Sequence, residues 1–160
     1  MKRTVLALLA ALFVLPALTG TASAQPQDGL AEVRQATKQF HDLQTAMDAG
    51  YELGSPCVPG MGYHYVNDDL VNDPAVNALQ PEVLLYAPSP SGKLKLVAVE
   101  WLKFDADGNP ATVENITVLG QTMHGPMTHG LPLHYDLHAY IWQGNPDGVF
   151  NTTNRNITCP

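Results

Sequence analysis

The sequence predicts an α+β fold in which one N-terminal helix packs on an antiparallel sheet within a single domain. Apolar residues recur at helical spacing over Leu30–Ala49, and Gly50 provides a helix end. The rest of the chain contains short apolar or alternating runs that are separated by turns rich in Pro, Gly, Asp and Ser. One helix followed by strands with short connections is typical of a helix packed on an antiparallel sheet.

The first 24 residues have the features of a secretory signal peptide. Lys2 and Arg3 give a positive start, an apolar run covers Val5–Leu18, and Ala22-Ser23-Ala24 supplies the small residues of a cleavage site. The apolar run is shorter than the roughly 20 residues that span a bilayer. We therefore expect cleavage after Ala24, a secreted or periplasmic location without membrane attachment, and one exported α+β domain over residues 25–160.

The predicted helix has one apolar stripe, and the predicted strands follow it along the chain. The stripe consists of Leu30, Val33, Phe40, Leu43 and Met47. A Pro- and Gly-rich loop over 55–62 and a short helical turn within 67–81 are expected next. Five segments have strand character: Gly62–Asn67, Pro81–Ala87, Lys93–Phe104, Glu114–Leu119 and Leu133–Trp142. Residues 120–132 are expected to be irregular.

Charge restricts the partners of this protein. The chain carries 15 acidic and 8 basic residues, and its net charge is −7 with neutral histidines. Cleavage of the signal peptide would remove two basic residues and no acidic one. An acidic surface is unsuited to nucleic acid and to anionic membranes. It favours cations over anions, so the expected partner is a metal ion or a small molecule.

Two cysteines, Cys57 and Cys159, belong to the exported part. Because an exported chain meets an oxidising compartment, a disulfide that ties the C-terminal tail to the loop after the helix is the default expectation. Metal binding by both thiolates is the alternative, although the two residues lack the spacing of a zinc site.

The segment Leu133–Trp142 alternates with a period of two residues. One face carries Leu133, Tyr135, Leu137, Ala139 and Ile141, and the other carries His134, Asp136, His138, Tyr140 and Trp142. Histidine and aspartate on one face are metal ligands or acid–base groups. Positions four apart on a strand are about 13 Å apart, so His134 and His138 cannot both bind one ion from a regular strand. Each histidine can pair with Asp136. In such a pair, the carboxylate can hydrogen-bond to the imidazole nitrogen that does not bind the metal and so orient the ring.

Further ligands must come from other segments. In Lys93–Phe104, Glu100 is the single charge on the face that also carries Leu94, Leu96, Ala98, Leu102 and Phe104. A buried unpaired carboxylate costs several kcal/mol, so Glu100 needs a metal or a histidine as its partner unless a bulge turns it to solvent. His64, between two tyrosines, and His41, on the flank of the helix stripe, are the candidate partners.

Several segments occur in a recognisable order: Gly62–Asn67, Pro81–Tyr86, Leu96–Trp101, Gly125–Met127 and His134–His138. Together they resemble a group of small exported, uncharacterised bacterial proteins. The resemblance extends over most of the exported part and includes Cys57 and Cys159. It implies a signal peptide and a single domain, and it implies no activity.

The favoured interpretation is an exported protein with a metal site. The candidate ligands are His41, His64, Glu100, His134, Asp136 and His138. Imidazole and carboxylate ligands suit zinc, copper or iron. An open coordination position would allow catalysis on water or dioxygen, and a closed one would mean binding or buffering of the metal.

Two metal-free alternatives remain. A small molecule could bind in a pocket lined by Tyr63, Tyr65, Trp101, Tyr140 and Trp142. A His–Asp pair could act as acid and base in a hydrolase or lyase. The sequence contains no Gly-x-Ser-x-Gly segment, no His-Glu-x-x-His segment and no phosphate-binding glycine loop.

Overall fold

A computed structural model describes residues 26–160, with the backbone alone for residues 26–28. The predicted signal peptide therefore lies outside the described residues. Within residues 26–160, no helix is long and apolar enough to cross a membrane. The described chain forms short helices followed by a large antiparallel sheet, which confirms the predicted α+β class and the single domain.

The N-terminal helical region is interrupted. It consists of α1 (Pro26–Thr37), a 3-10 helix (Lys38–His41) and α2 (Leu43–Asp48). Asp42 has an extended backbone, and its side chain accepts a hydrogen bond from the backbone N–H of Gln44, so it ends one helix and caps the next. The prediction of one continuous helix over Leu30–Ala49 is therefore wrong. Because the break changes the helical phase, Met47 is 42% exposed whereas Ala46 is buried.

The sheet contains six strands. Their bounds are β1 Tyr51–Leu53, β2 Tyr63–Asn67, β3 Val83–Pro88, β4 Leu94–Phe104, β7 His124–Met127 and β8 His134–Ala139. The strand order is β1-β2-β3-β4-β8-β7, with antiparallel neighbours throughout. A short helix, α3 (Asp68–Val71), follows β2, and β5 (Thr117–Val118) pairs with β6 (Gln121–Thr122) in a separate hairpin. Strands β2, β3, β4 and β8 were predicted, and the edge strands β1 and β7 were not.

The two faces of the sheet have different covers. The helices cover one face, and the core there joins Leu30, Val33 and Phe40 to Leu84, Tyr86, Val99, Trp101, Tyr135 and Leu137. The opposite face carries a smaller apolar cluster that includes Val83, Leu85, Leu102 and Ile157. We call these the helix face and the open face. Side chains alternate between the two faces along a regular strand. The apolar cluster in which a strand residue packs therefore tells which face its side chain is on.

A β-bulge in β4 alters which side chains share a face. Leu85 pairs with Ala98 and Tyr86 pairs with Leu96, which leaves Val97 as an extra residue. As a result, Leu96 belongs to the helix face, while Val97 and Ala98 pack on the open face. The prediction that Leu96 shares a face with Glu100 is therefore wrong.

Strand β8 ends at Ala139, three residues before the predicted end. The backbone N–H of Tyr140 donates to the Val149 carbonyl, and that of Trp142 donates to the Val97 carbonyl, so the chain leaves the regular ladder. Consequently Trp142 packs on the helix face, where its indole N–H donates to Thr37 Oγ1 at 3.3 Å.

A disulfide joins Cys57 to Cys159, with 5.7 Å between the Cα atoms and a sequence separation of 102. It confirms the predicted pairing and excludes the thiolate alternative. Backbone hydrogen bonds reinforce the link, because Gly60 donates to the Ile157 carbonyl and Asn154 donates to the Gly60 carbonyl. The tail thus holds the loop that leads into β2.

Candidate metal centre

Three side chains from three strands meet on the open face. His64 belongs to β2, Glu100 to β4 and His138 to β8. Glu100 and His138 are direct cross-strand partners. Strand β3 lies between β2 and β4, so His64 reaches across it toward Glu100. Sheet register therefore brings together residues that are distant in the sequence.

The separations within this trio fit a small divalent ion. One ligand atom from each residue lies within 4.8 Å of the other two. Glu100 Oε2 is 3.7 Å from His64 Nε2 and 3.6 Å from His138 Nε2. Tetrahedral coordination with bonds of about 2.0–2.2 Å places ligand atoms about 3.3–3.6 Å apart. Small side-chain movements would therefore bring the trio to bonding distances.

The ligand atoms are buried without ordinary partners. Glu100 is 4% exposed and His138 is 2% exposed. Within residues 26–160, Glu100 Oε2 and both ring nitrogens of His138 have no hydrogen-bond partner. An unsatisfied buried polar atom costs about 1–3 kcal/mol, and more when it is charged. A cation placed between the three residues would satisfy Glu100 Oε2 and His138 Nε2 together, so the side chains fit a metal ion.

A serine orients the first imidazole. Ser55 Oγ lies 2.9 Å from His64 Nδ1 and donates its own proton to the Pro56 carbonyl. With its single proton on the Pro56 carbonyl, the hydroxyl offers its lone pairs to His64 Nδ1–H in the tautomer that leaves Nε2 unprotonated. The lone pair of His64 therefore lies on Nε2, the atom that faces Glu100. Hydrogen bonds of this kind fix the tautomer of metal-binding histidines.

An aspartate stands behind the second imidazole. Asp136 Oδ1 is 4.0 Å from His138 Nδ1, and both atoms are buried without a hydrogen bond to any described residue. The two residues are two apart on β8 and share its open face. A small rotation would close this gap and give the carboxylate–histidine pair that holds many metal-binding imidazoles.

Burial sets the protonation states of the trio. It lowers the pKa of His64 to about 4 and, together with the nearby His64, lowers the pKa of His138 to about 3. Burial also raises the pKa of Glu100 well above its usual value, and the Asp136 and Glu82 carboxylates add to the rise. Near neutral pH, both imidazoles are thus unprotonated, and burial favours the protonated form of Glu100 in the metal-free protein. A divalent ion would compete with that proton.

The trio lies at the wall of a cavity of about 400 Å³. Its volume falls in the range of small-molecule binding sites. The apolar part of the wall consists of Val58, Met61, Val66, Val83, Leu102 and Leu131. An ion held by the trio would have one side open to this cavity.

Three predicted ligands occupy other positions. His134 and Asp136 line the cavity but do not belong to the converging trio. His41 is exposed on the helix face, where its ring packs against Trp142 with 4.3 Å between the ring centroids. His41 therefore does not reach the metal centre, because the helices cover the opposite side of the sheet.

The five predicted pocket aromatics do not line the cavity. Tyr63, Tyr65, Trp101 and Trp142 pack with the core of the helix face. Tyr140 packs on the open face, and its hydroxyl hydrogen-bonds to the carbonyls of Gly60 and Thr152. The expected aromatic-lined pocket has no counterpart in this cavity, whose apolar wall is aliphatic apart from the thioether of Met61.

Comparisons with protein-family models, with curated proteins and with solved structures found no match. Function is therefore inferred from the side chains of the site itself. Ser55 and the aliphatic wall were not predicted from the sequence. Ser55 lies in a Pro- and Gly-rich loop without periodicity, and its contact with His64 depends on the three-dimensional path of that loop, which the disulfide and backbone hydrogen bonds tie to the C-terminal tail.

Proposed function

We propose that this protein is an exported metal-binding protein that holds one divalent transition-metal ion between His64, Glu100 and His138. One observation carries the proposal: three ligand atoms converge within 4.8 Å at a buried point where two of them have no hydrogen-bond partner among the described residues. Burying such groups is costly for folding unless they are paired or bind a metal. Two unprotonated imidazoles beside one carboxyl provide the ligands that a divalent ion requires.

The ligand set favours zinc or iron(II). Two histidines and one carboxylate form three-ligand sites for catalytic zinc and for non-haem iron, each with an open coordination position. Copper(I) prefers sulfur ligands, and the trio contains none. Coordination geometry and metal availability would decide between zinc and iron.

The open side of the trio makes catalysis part of the proposal. When bound, the ion would supply a Lewis acid that lowers the pKa of a coordinated water. The chain contributes the orientation of His64 by Ser55, an aliphatic wall beside the ion, and Asp136 next to His138. The substrate would enter through the cavity of about 400 Å³.

Export belongs to the same proposal. The disulfide between Cys57 and Cys159 suits an oxidising compartment outside the cytoplasm. The N-terminal sequence has the charge, apolar run and cleavage site of a secretory signal. Mass spectrometry of the protein recovered from the source culture medium or periplasm would locate the mature N-terminus, which we expect at Gln25.

Elemental analysis of protein dialysed against zinc or iron(II) tests metal binding. We expect about one ion per chain in the wild type, and the same in His41→Ala, the matched control with an exposed imidazole on the other face. We expect His138→Ala and Glu100→Ala to lose the ion while the disulfide remains intact. Equal metal content in all four proteins would contradict the proposed site. If that content is negligible, a metal-free binding pocket becomes the better interpretation.

A further inference from the structure

Two histidines lie at the end of the cavity away from the trio. His134 begins β8, four residues or about 13 Å along the strand from His138. His129 belongs to residues 128–133, which connect β7 to β8. Gly130 has a φ of +84°, a conformation that glycine adopts readily, so this connection turns tightly and returns to the sheet. Both histidines line the cavity, and His129 is exposed, so this end meets solvent.

The separation of these two rings matches that of the histidines in the trio. The ring centroids of His129 and His134 are 6.4 Å apart, and those of His64 and His138 are 6.3 Å apart. Two imidazoles on one zinc ion, with bonds of about 2.0–2.1 Å, have ring centroids about 5–6 Å apart. Because the side chain of His129 is exposed, it can turn by the small amount required. The pair can therefore hold one ion.

The backbone fixes the tautomer of the inner imidazole. His134 is 2% exposed, and its Nδ1 lies 2.8 Å from the Pro132 carbonyl oxygen. Because a carbonyl oxygen can only accept a hydrogen bond, Nδ1 carries the proton and Nε2 carries the lone pair. Metal-binding histidines commonly donate the N–H of their other ring nitrogen to a carbonyl in this way. His134 is therefore oriented as a ligand, as His64 is by Ser55.

Asp136 supplies a carboxylate beside the pair. It is 5% exposed and lies two residues from His134 on the open face of β8, about 7 Å along the strand. Its Oδ1 has no hydrogen-bond partner among residues 26–160, and the cavity lining contains no lysine or arginine that could pair with it. A buried carboxylate without a partner is costly, and a cation at this end of the cavity would provide one. Since a carboxylate has two oxygens, one can bind this ion while Oδ1 hydrogen-bonds to His138.

We propose that His129, His134 and Asp136 form a second site for a divalent transition-metal ion, separate from the trio. Imidazole and carboxylate ligands suit zinc here as well. Among residues 26–160, only the trio brings three ligand atoms within 4.8 Å of one another, so the second site must close around its ion and binds it more weakly. A zinc concentration that fills the trio alone therefore leaves one ion per chain, and a higher concentration adds a second. The assignment goes beyond the proposed function, because it does not need an ion in the trio.

Calorimetric titration of the disulfide-bonded protein with zinc tests the second site, starting from protein whose trio is already filled. We expect one further ion per chain in the wild type and in His41→Ala, the control with an exposed imidazole on the helix face. His129→Ala should bind this ion at least about 10-fold more weakly, because losing a ligand costs no less than losing a group that orients one. Since His129 is exposed, its replacement should leave the fold and the first ion unchanged.

Asp136→Asn tests the carboxylate with a side chain of nearly the same shape. At zinc concentrations that still saturate the trio, this variant should also bind the second ion at least about 10-fold more weakly than the wild type. A second ion that binds equally well to the wild type and to His129→Ala or Asp136→Asn would overturn the assignment. A wild-type protein that binds no ion beyond the first, or a His41→Ala variant that loses the second ion, would overturn it as well.

A variant without the trio keeps the two proposals apart. His138→Ala should lose the tightly bound ion and keep the weakly bound one, and adding His129→Ala should weaken that remaining binding at least about 10-fold. A wild-type protein without the tightly bound ion contradicts the proposed function alone, provided that the weakly bound ion still depends on His129 and Asp136. A tightly bound ion that depends on His138, with no weaker binding that depends on His129, contradicts this assignment alone.

Discussion

Replacing Glu100 by glutamine removes the ionisable carboxyl. The variant therefore separates the effect of the buried carboxyl on stability from its role as a metal ligand. The pKa of Glu100 is raised well above the usual 4.5. Between pH 4.5 and the raised value, the folded protein keeps a proton that the unfolded chain has released. The contribution of Glu100 to the stability of the metal-free wild type therefore falls as pH rises through this window, by about 1.4 kcal/mol per pH unit.

Glutamine has nearly the same shape as glutamic acid and does not ionise. The free energy of unfolding of Glu100→Gln, relative to that of the wild type, should consequently rise by up to about 3 kcal/mol between pH 5 and pH 7. Urea unfolding of EDTA-treated proteins at pH 5, 6 and 7 measures this difference. Glu52→Gln, an exposed position on β1, is the matched control and should show no such trend. A Glu100→Gln difference that stays constant across this range would refute the burial argument.

Zinc should reverse the order of the same two proteins. An ion present at 100 times its dissociation constant stabilises the folded state by about 2.7 kcal/mol. The wild type should gain this stabilisation at pH 7, and Glu100→Gln should gain much less because its amide is a poorer ligand than a carboxylate. Equal zinc-induced shifts in melting temperature would show that Glu100 is not a ligand.

Three further predictions concern the residues around the trio. Ser55→Ala should weaken zinc affinity by about 10-fold to 100-fold, because His64 loses the acceptor that fixes its tautomer; an unchanged dissociation constant would remove Ser55 from the site. Asp136→Asn should weaken zinc affinity to a similar degree, and it should still bind one ion per chain at saturating zinc. An unaltered affinity would show that Asp136 does not move across the 4.0 Å gap to hydrogen-bond with His138. Reduction of the Cys57–Cys159 disulfide, which closes a loop of about 100 residues, should destabilise the protein by as much as about 4.7 kcal/mol. A melting temperature that is independent of reductant would exclude that contribution.

The sequence was sufficient to predict the strands in which apolar and polar residues alternate or in which apolar residues form a continuous run. The period-two pattern of Leu133–Trp142 placed His134, Asp136 and His138 on one face, and the structure confirms this placement within β8. The isolated charge of Glu100 indicated a buried partner, and His138 is its cross-strand neighbour. These predictions succeeded because each depends on local periodicity and on the cost of burying a charge.

Other features depend on contacts that local periodicity does not encode. The β-bulge at Val97 moves Leu96 to the helix face, and a hydrophobic alternation cannot indicate where an extra residue occurs. Asp42 interrupts a segment whose apolar spacing predicted one continuous helix. His41 would lie near His64, Glu100 and His138 only if the helices covered the open face, but they cover the other face. The face on which helices pack depends on the three-dimensional register of the sheet, which no single segment specifies.

A crystal structure of the zinc-soaked protein, with anomalous data collected at the zinc edge, would show whether His64, Glu100 and His138 bind the ion. We expect a strong anomalous peak about 2.0–2.2 Å from His64 Nε2, Glu100 Oε2 and His138 Nε2, with the open side of the ion toward the cavity. Zinc bound only to surface carboxylates, with the three buried side chains unchanged, would contradict this expectation.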